Sequence, residues 1–541
     1  MKIVSLNGQM TFEEMKGSLE RLPKTNRWVQ MGDTLPWTEY EKVYNKRLKN
    51  DSVGATNRPG RMVIAALIIK HKLNLSDEET ILTIQENPYM QYMCGLTEYS
   101  DQPIFDPSLF TTIRKRITIQ DINALTLELA RKARQMKEKE DRDKEKDGEG
   151  NGKGVDNAPE EKTQPTDVKA DATCADAEVR YPTDIDLVED GSKYIDRMID
   201  KVCGIKKIRK PAGVERNRIR EIYLKVIKRK HKGSKLIKDA LTRMLPLLYR
   251  DILTLLNLIG VDDGTYGRFN CTQKRTIQAV IDMYHQQEEM LRLGTHTCDN
   301  RIVSIHQPHV RSIVRGKAKA KVEFGAKIGV SIVDGFSFID HHSWEAYNEA
   351  SDLTTHIEKY KERFGVEPER FFGDKIYLNR ENRKTLKNKG IQIMGRPLGR
   401  PPKNPTDEQV ERERIGVSLR NEAEAQFGTA KRTYRANNIR AKLPETAECW
   451  TAMCYFVKNL TKFMRELCLV LIEIWSYIRH FGSKIMNSST ESGCMLCVEH
   501  LLPLRATLYN TPRFSDRHNY GGMTRNRYIC KKEENQNGKT I

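Results

Sequence analysis

Val322-Glu-Phe-Gly-Ala-Lys-Ile-Gly-Val-Ser-Ile-Val333-Asp334-Gly335-Phe336-Ser-Phe-Ile-Asp-His341 is the stretch on which the fold of this 541-residue chain turns. Its two arms, Val322 to Val333 and Phe336 to His341, are rich in β-branched and aromatic residues. Asp334-Gly335 between them is a strong two-residue hairpin signal, because both central positions of such a turn favour positive φ. Downstream, Trp344 to Arg363 returns to helical spacing, and Arg370-Phe-Phe-Gly-Asp374 reads as a short buried strand ending at an acid. A helix from Asn379 to Lys389, a short strand at Ile391 to Met394 and a Pro/Gly loop through Pro405 follow, and then comes the helix that carries Glu424. Upstream, Val168-Lys-Ala-Asp171-Ala-Thr is a candidate first strand.

Strand, hairpin, helix, strand, helix, strand, helix is the order of a ribonuclease-H-like α/β fold. Here a long helical insertion, about 185–300, separates the first strand from the hairpin. The expected organisation is an all-α N-terminal domain over 1–135, DNA-binding or dimerising, a charged flexible linker over 136–166, a catalytic domain over 167–465, and a C-terminal helix and basic tail over 466–541. In the first of these, Pro59 opens a helix through Leu73, Ser76-Asp-Glu-Glu79 is a capping box, and Pro88 ends the second helix. Two short helices joined by a three-residue turn suit a DNA-reading module or a purely supporting one. Asp141 to Asp167 has almost nothing apolar to bury, which predicts a linker that cannot offset its ordering entropy.

The chain carries 92 Lys and Arg against 73 Asp and Glu, a net charge of +19, so an anionic polymer is the natural partner. Lys206 to Lys238 concentrates that excess, with fourteen cations and only Glu215 and Glu221 as acids, a pattern suited to tracking along phosphates by counterion release. Eleven scattered cysteines and a Met1 end without a signal pattern predict a reducing cytoplasm. The longest apolar run, Leu467 to Ile478, contains Glu473, is too short for a bilayer and reads as a buried helix. Cys494-Met-Leu-Cys497 with His500 lacks the second ligand pair of a structural zinc site.

In an open α/β sheet, ligands gather at the carboxyl ends of strands, which singles out Asp171 and Asp374. On the later helix, Glu424 lies about 40° from Arg420, and Lys431 about 20° from it, so one face carries a carboxylate between two cations. Glu422 competes with Glu424 but lies about 160° away around the axis. Asp167, Asp176 and Asp184 compete with Asp171, and spacing leaves that contest open. Three carboxylates within about 4 Å would repel by roughly 4 kcal/mol per pair at a dielectric of about 20. Divalent cations remove that penalty, and oxygen-only ligands favour magnesium or manganese. Two such ions activate an attacking oxygen and stabilise a leaving one, which is phosphoryl-transfer chemistry.

With these residues in view, the chain resembles bacterial insertion-sequence transposases of the DDE class, specifically the insertion-sequence family-5 group. The resemblance runs through most of Arg58 to Lys462. It rests on Glu86-Asn-Pro-Tyr-Met-Gln-Tyr-Met-Cys-Gly-Leu96, Phe105-Asp-Pro-Ser-Leu-Phe110, Asp171-Ala-Thr, Arg180-Tyr-Pro-Thr-Asp184, Val314-Arg-Gly-Lys-Ala-Lys319, Gly373-Asp-Lys-Ile-Tyr377, Gly395-Arg-Pro-Leu-Gly-Arg-Pro-Pro402 and Glu424-Ala-Gln-Phe-Gly-Thr-Ala-Lys-Arg432. It implies an acidic triad of Asp171, Asp374 and Glu424, and so prefers Asp171 over its neighbours. Asp171 would bridge two magnesium or manganese ions and the other two would each complete one, with Arg420, Lys431, Arg432 and Lys375 on DNA phosphates. The implied activity is cleavage at terminal inverted repeats and joining of 3′-hydroxyl ends to target DNA, by a homodimer or higher oligomer on double-stranded DNA, with no membrane partner. A catalytically silent relic and a nuclease without strand transfer are the alternatives. One position departs: the related signature has a Tyr three residues before the Arg, where Val417 stands here.

Overall fold

A computed structural model describes residues 17–48, 57–148, 165–260, 264–314, 322–394 and 406–486, without the side chains of 139–148, 408–409, 412–413, 417–420 and 469–486. Seven helices come first: α1 (Arg27–Thr34), α2 (Trp37–Asn45), α3 (Gly60–Leu73), α4 (Asp77–Glu86), α5 (Pro88–Met93), α6 (Leu109–Arg116) and α7 (Ile119–Gly148). Local chemistry sets their ends. Asn74, at φ 57°, closes α3 in the left-handed region, and the Ser76 hydroxyl accepts the Glu79 N–H at 3.0 Å to open α4. Pro88 stands at the first turn of α5, where its missing N–H costs nothing. α3 is buried almost all round, from Val63 to His71. α7 continues through Gly148, into the stretch read as a linker. The sequence of that stretch is rich in Lys and Glu, residues of good helix propensity.

β1 (Asp167–Asp176) is followed by the insertion, α8 (Asp184–Lys206), α9 (Arg216–Ile227), α10 (Ser234–Ile259) and α11 (Cys271–Leu293). Thr183 caps α8, and Asn270 with Gln273 forms a reciprocal capping box on α11. Their apolar faces make a core of their own, from Ile185 to Ile305. The chain then returns through β2 (Arg311–Val314), which went unread in the sequence, to the hairpin of β3 (Val322–Val333) and β4 (Phe336–Ser343). Asp334 and Gly335 take φ of 51° and 75°, as the two-residue turn demands. The joints of the insertion are stitched together: the Ala177 N–H donates to Phe324 O at 2.8 Å, and Gln307 Nε2 donates to Glu178 O at 3.1 Å.

α12 (Leu353–Phe364), β5 (Arg370–Gly373), α13 (Arg380–Asn388), β6 (Gln392–Met394), α14 (Asp407–Thr433) and the 43-residue α15 (Pro444–Met486) complete the order. The result is an α/β architecture with a helical N-terminal region and a mixed six-stranded sheet. β3 pairs antiparallel with β1, β2 and β4, and β5 lies parallel to both β1 and β6. Helices cover both faces. α14 and α15 lie over the face of Lys169 and Asp171, where Glu422 pairs with Lys169 and Asn459 bonds the Ser337 backbone. α12 covers the other, where a Cβ on Gly329 would sit 2.8 Å from Asp352 Oδ2 and 3.3 Å from His356. The N-terminal helices share one hydrophobic core with this sheet, running from Trp28 to Phe463.

The apolar run Leu467 to Ile478 falls in the second half of α15, and no helix among the described residues is long and apolar enough to cross a membrane. Cys494, Cys497 and His500, like the Pro/Gly loop through Pro405, lie outside the described residues.

Candidate active site

β1 and β5 run side by side with Ala170 opposite Gly373, and one step further along each chain stand Asp171 and Asp374. Neighbouring positions on parallel strands are about 4.8 Å apart and project to the same face, so the register aligns two acids that are 203 residues apart in sequence. Both are half-buried. Each turns one oxygen to the next backbone N–H, Asp171 Oδ1 to Ala172 at 2.8 Å and Asp374 Oδ1 to Lys375 at 2.7 Å. Asp171 also contributes, after burial, Glu349 and Tyr347, to the upward push on the Tyr377 hydroxyl.

α14 lies against β1, β5 and β6. Its buried stripe is Ala423, Phe427 and Ala430, and on a helix Glu422 and Glu424 fall about 100° to either side of Ala423. The two flanks have different partners. Glu422 pairs with Lys169, and Gln426 Nε2 donates to Gly335 O at 3.1 Å, so that flank faces the hairpin. Glu424 and Lys431 occupy the opposite flank, toward the side of β1 on which β5 lies. Glu424 is exposed, Lys431 half-buried, and Arg432 and Lys375 exposed. The backbone of Arg420 is helical, while its side chain and that of Val417 lie outside the described residues.

The competing acids are engaged elsewhere. Asp167 holds Arg370 at 2.6 and 2.9 Å, and Asp184, at the start of α8, holds Arg301 at 2.5 Å. Asp176 belongs to a cluster that sequence reasoning did not find: Cys174, Asp176 and Glu323 bring ligand atoms within 4.8 Å of one another. Alternation along β1 and β3 placed these three on one face, a signal readable only once the register was known. Among the described residues this is the one trio with so close a spacing, and Asp171, Asp374 and Glu424 do not form a second. The Cys174 cluster is nevertheless the poorer match to a hard cation. Burial, and then Asp176, push its thiol well up, which leaves it protonated beside the carboxylate. Asp171, Asp374 and Glu424 offer oxygen alone, as magnesium and manganese prefer.

Behind the sheet, the Asp340 side chain is fully buried between His356 Nδ1, at 2.6 Å, and Arg363. Burial opposes its charge, and Arg363 with His356 holds it below the usual carboxylate range.

Comparison with known proteins gives the chain a context. Residues 18–116 match the family described as Transposase domain (DUF772), and residues 371–461 match the family described as Transposase DDE domain. A curated relative, "Uncharacterized protein ORF8 in nfe locus" of Rhizobium meliloti, is 30% identical over 97 residues, which cover 18% of this chain and 46% of the relative. The chain thus spans less than half the length of that relative. No solved structure matches. The second family match takes in Asp374, Glu424 and the cations around them, and together the two matches support a DDE-type insertion-sequence transposase.

Proposed function

We propose that this protein is a DNA transposase of the insertion-sequence family-5 group, which binds the terminal inverted repeats of its element, cuts the strands and joins the freed 3′-hydroxyl ends to target DNA. The observation that carries the reading is the register of β1 on β5, which sets Asp171 beside Asp374 under the helix of Glu424. The strand order β4, β3, β1, β5, β6, with β3 antiparallel to both its neighbours and β5 and β6 parallel to β1, supports a ribonuclease-H-like core.

Asp171, Asp374 and Glu424 would hold two magnesium or manganese ions. When bound, these supply Lewis acidity at the attacking and leaving oxygens. Lys375, Arg420, Lys431 and Arg432 hold the flanking phosphates and fix the scissile bond in line with its attacker. Water is the nucleophile in the first displacement at phosphorus and a DNA hydroxyl in the second, so no Ser, Tyr or Cys nucleophile is required. The exposed cations of the insertion contact DNA outside the site, and a homodimer or higher oligomer holds two ends together in the bacterial cytoplasm.

An end-labelled duplex carrying the element's terminus, incubated with the protein and magnesium or manganese, tests the reading. Cutting followed by strand transfer is the expected result. Cutting without joining would make the protein a nuclease, and binding without cutting a relic.

A further inference from the structure

Where α14 and α15 meet the β3–β4 hairpin, a lysine is buried among neutral partners. Lys458, on α15, is 6% exposed, and its ammonium donates to Ser337 Oγ at 2.7 Å, to Asn459 Oδ1 at 3.2 Å and to Gln426 Oε1. An ammonium has three protons, and here each finds an oxygen. The oxygens come from three different elements. Ser337 lies in β4, Asn459 in α15, and Gln426 in α14, two residues from Glu424.

Gln426 is the junction. Its Oε1 takes Ser337 Oγ at 2.8 Å as well as Lys458, and its Nε2 donates to Gly335 O at 3.1 Å and Glu422 Oε1 at 3.3 Å. Glu422 continues the chain of contacts to Lys169, two residues before Asp171 on β1. Asn459, fully buried, fixes the other end by exchanging two bonds with the Ser337 backbone, at 2.9 and 2.7 Å. Burial of a cation whose hydrogen-bond partners are uncharged is costly: desolvation, with Lys462 adding to it and Glu422 opposing, brings the Lys458 ammonium down to about 7. A methionine would fill the same space without that cost, so packing does not account for the lysine.

We infer that Lys458 is a positioning residue, which grips Gln426 and Ser337 together and so fixes the rotation of α14 that presents Glu424 on the flank toward β5. The inference rests on the reading of Glu424 above. A helix has no lateral hydrogen bonds of its own, and of the α14 stripe only Phe427 is large, while Ala423 and Ala430 on either side of it are poor at resisting rotation about the axis. The Gln426 junction supplies that resistance on one flank, 200° from Glu424 at 100° per residue.

Hydrogen exchange and cleavage, measured together on the full chain, test it. K458M and Q426A should each speed exchange of the 421–433 amides at least tenfold, and the double variant no further than either alone, because the junction acts as a unit. Amides of α8 and α11 should stay as in the wild type, and K201M, which removes the Lys201 bond to Gln273 in the insertion, should leave α14 unchanged. The cleavage rate at saturating DNA should fall at least tenfold with DNA affinity retained. Unchanged α14 exchange in folded K458M, a uniform rise across the chain, or additive effects of the two substitutions would overturn the inference. If K458M does not fold, Q426A, at a half-buried position, decides alone. If the wild type does not cut, the functional reading fails, and the exchange arm still settles whether Lys458 holds α14.

Discussion

The sheet-centred body and the helical insertion use charge in opposite ways. In the body, charged groups are turned inward and matched: Asp340 with His356 and Arg363, Lys70 and Arg114 with Asp77, Lys458 among its three oxygens. In the insertion Asp186 and Asp251 are buried but the cations are turned outward, and of the fourteen between Lys206 and Lys238 a few, such as Lys210, Arg216 and Arg218, are tied to acids while Lys228, Arg229, Lys230, Lys232 and Lys235 are exposed. A buried charge fixes the position of what it touches, because leaving it unpaired is expensive. An exposed one fixes nothing in its own fold and is left to attract a partner. Under the proposed function, the contrast gives precise placement to the body and adhesion to the insertion.

Replacement of Asp171 or Asp374 by Ala is the strongest way to test that division. Cleavage should drop on the order of a thousandfold or more, while DNA binding, which the proposed function gives to the exposed cations of the insertion, stays near wild type in a filter or anisotropy assay. Equal loss of binding would erase the contrast. Next in size is D340A, which strands His356 and Arg363 in the interior and should cost about 3–5 kcal/mol in urea unfolding. Its counterpart in the insertion, R218A, breaks a pair exposed at Arg218 and should cost under about 1 kcal/mol.

A pH series comes third. Burial brings His342 down to about 4, with His341 and His309 adding to it, and burial brings His309 to about 4 as well. The folded state thus binds these protons less tightly than the unfolded chain does. The stability they confer is present above about pH 6.5 and is lost as pH falls toward 4, by about 3 kcal/mol for His342 across that window. H342Q should flatten the profile, and Trp344, edge-on to both rings, gives a fluorescence signal for it. A profile in H342Q as steep as the wild type's would place the acid sensitivity elsewhere. The smallest effect on the fold belongs to K228Q/R229Q/K230Q/K232Q, within about 0.5 kcal/mol of wild type by unfolding. Its effect on DNA should be plain, with the salt dependence of binding shallower by about 0.9 for each phosphate no longer neutralised.

Much of the body was legible because its signals are local. Asp334-Gly335 announces its turn, the alternation in Val322 to Val333 its strand, and Ser76 its helix start. β2 was not legible: four residues, Arg311 to Val314, carry too little pattern, and only the partner strand makes them β. The end of α7 was not legible either, because composition without apolar residues suits a linker and a solvated helix alike, and the helix runs on to Gly148. For the candidate site, helical spacing separated Glu424 from Glu422, and the structure gives Glu422 an occupation of its own with Lys169. Lys458 was invisible in the sequence, since a lysine in an apolar helix reads as one exposed residue until the hairpin is seen to cover it.

The stitched joints of the insertion bear on how such a chain tolerates change. Ala177 on Phe324 and Gln307 on Glu178 hold departure and return side by side, so the intervening segment is a closed loop anchored at its base. Closing a loop costs only about 0.6 kcal/mol more for each doubling of its length. The insertion is therefore a guest whose size the host scarcely registers: it can lengthen, shorten or be exchanged for another helical bundle while the register of β1 on β5 stays as it is.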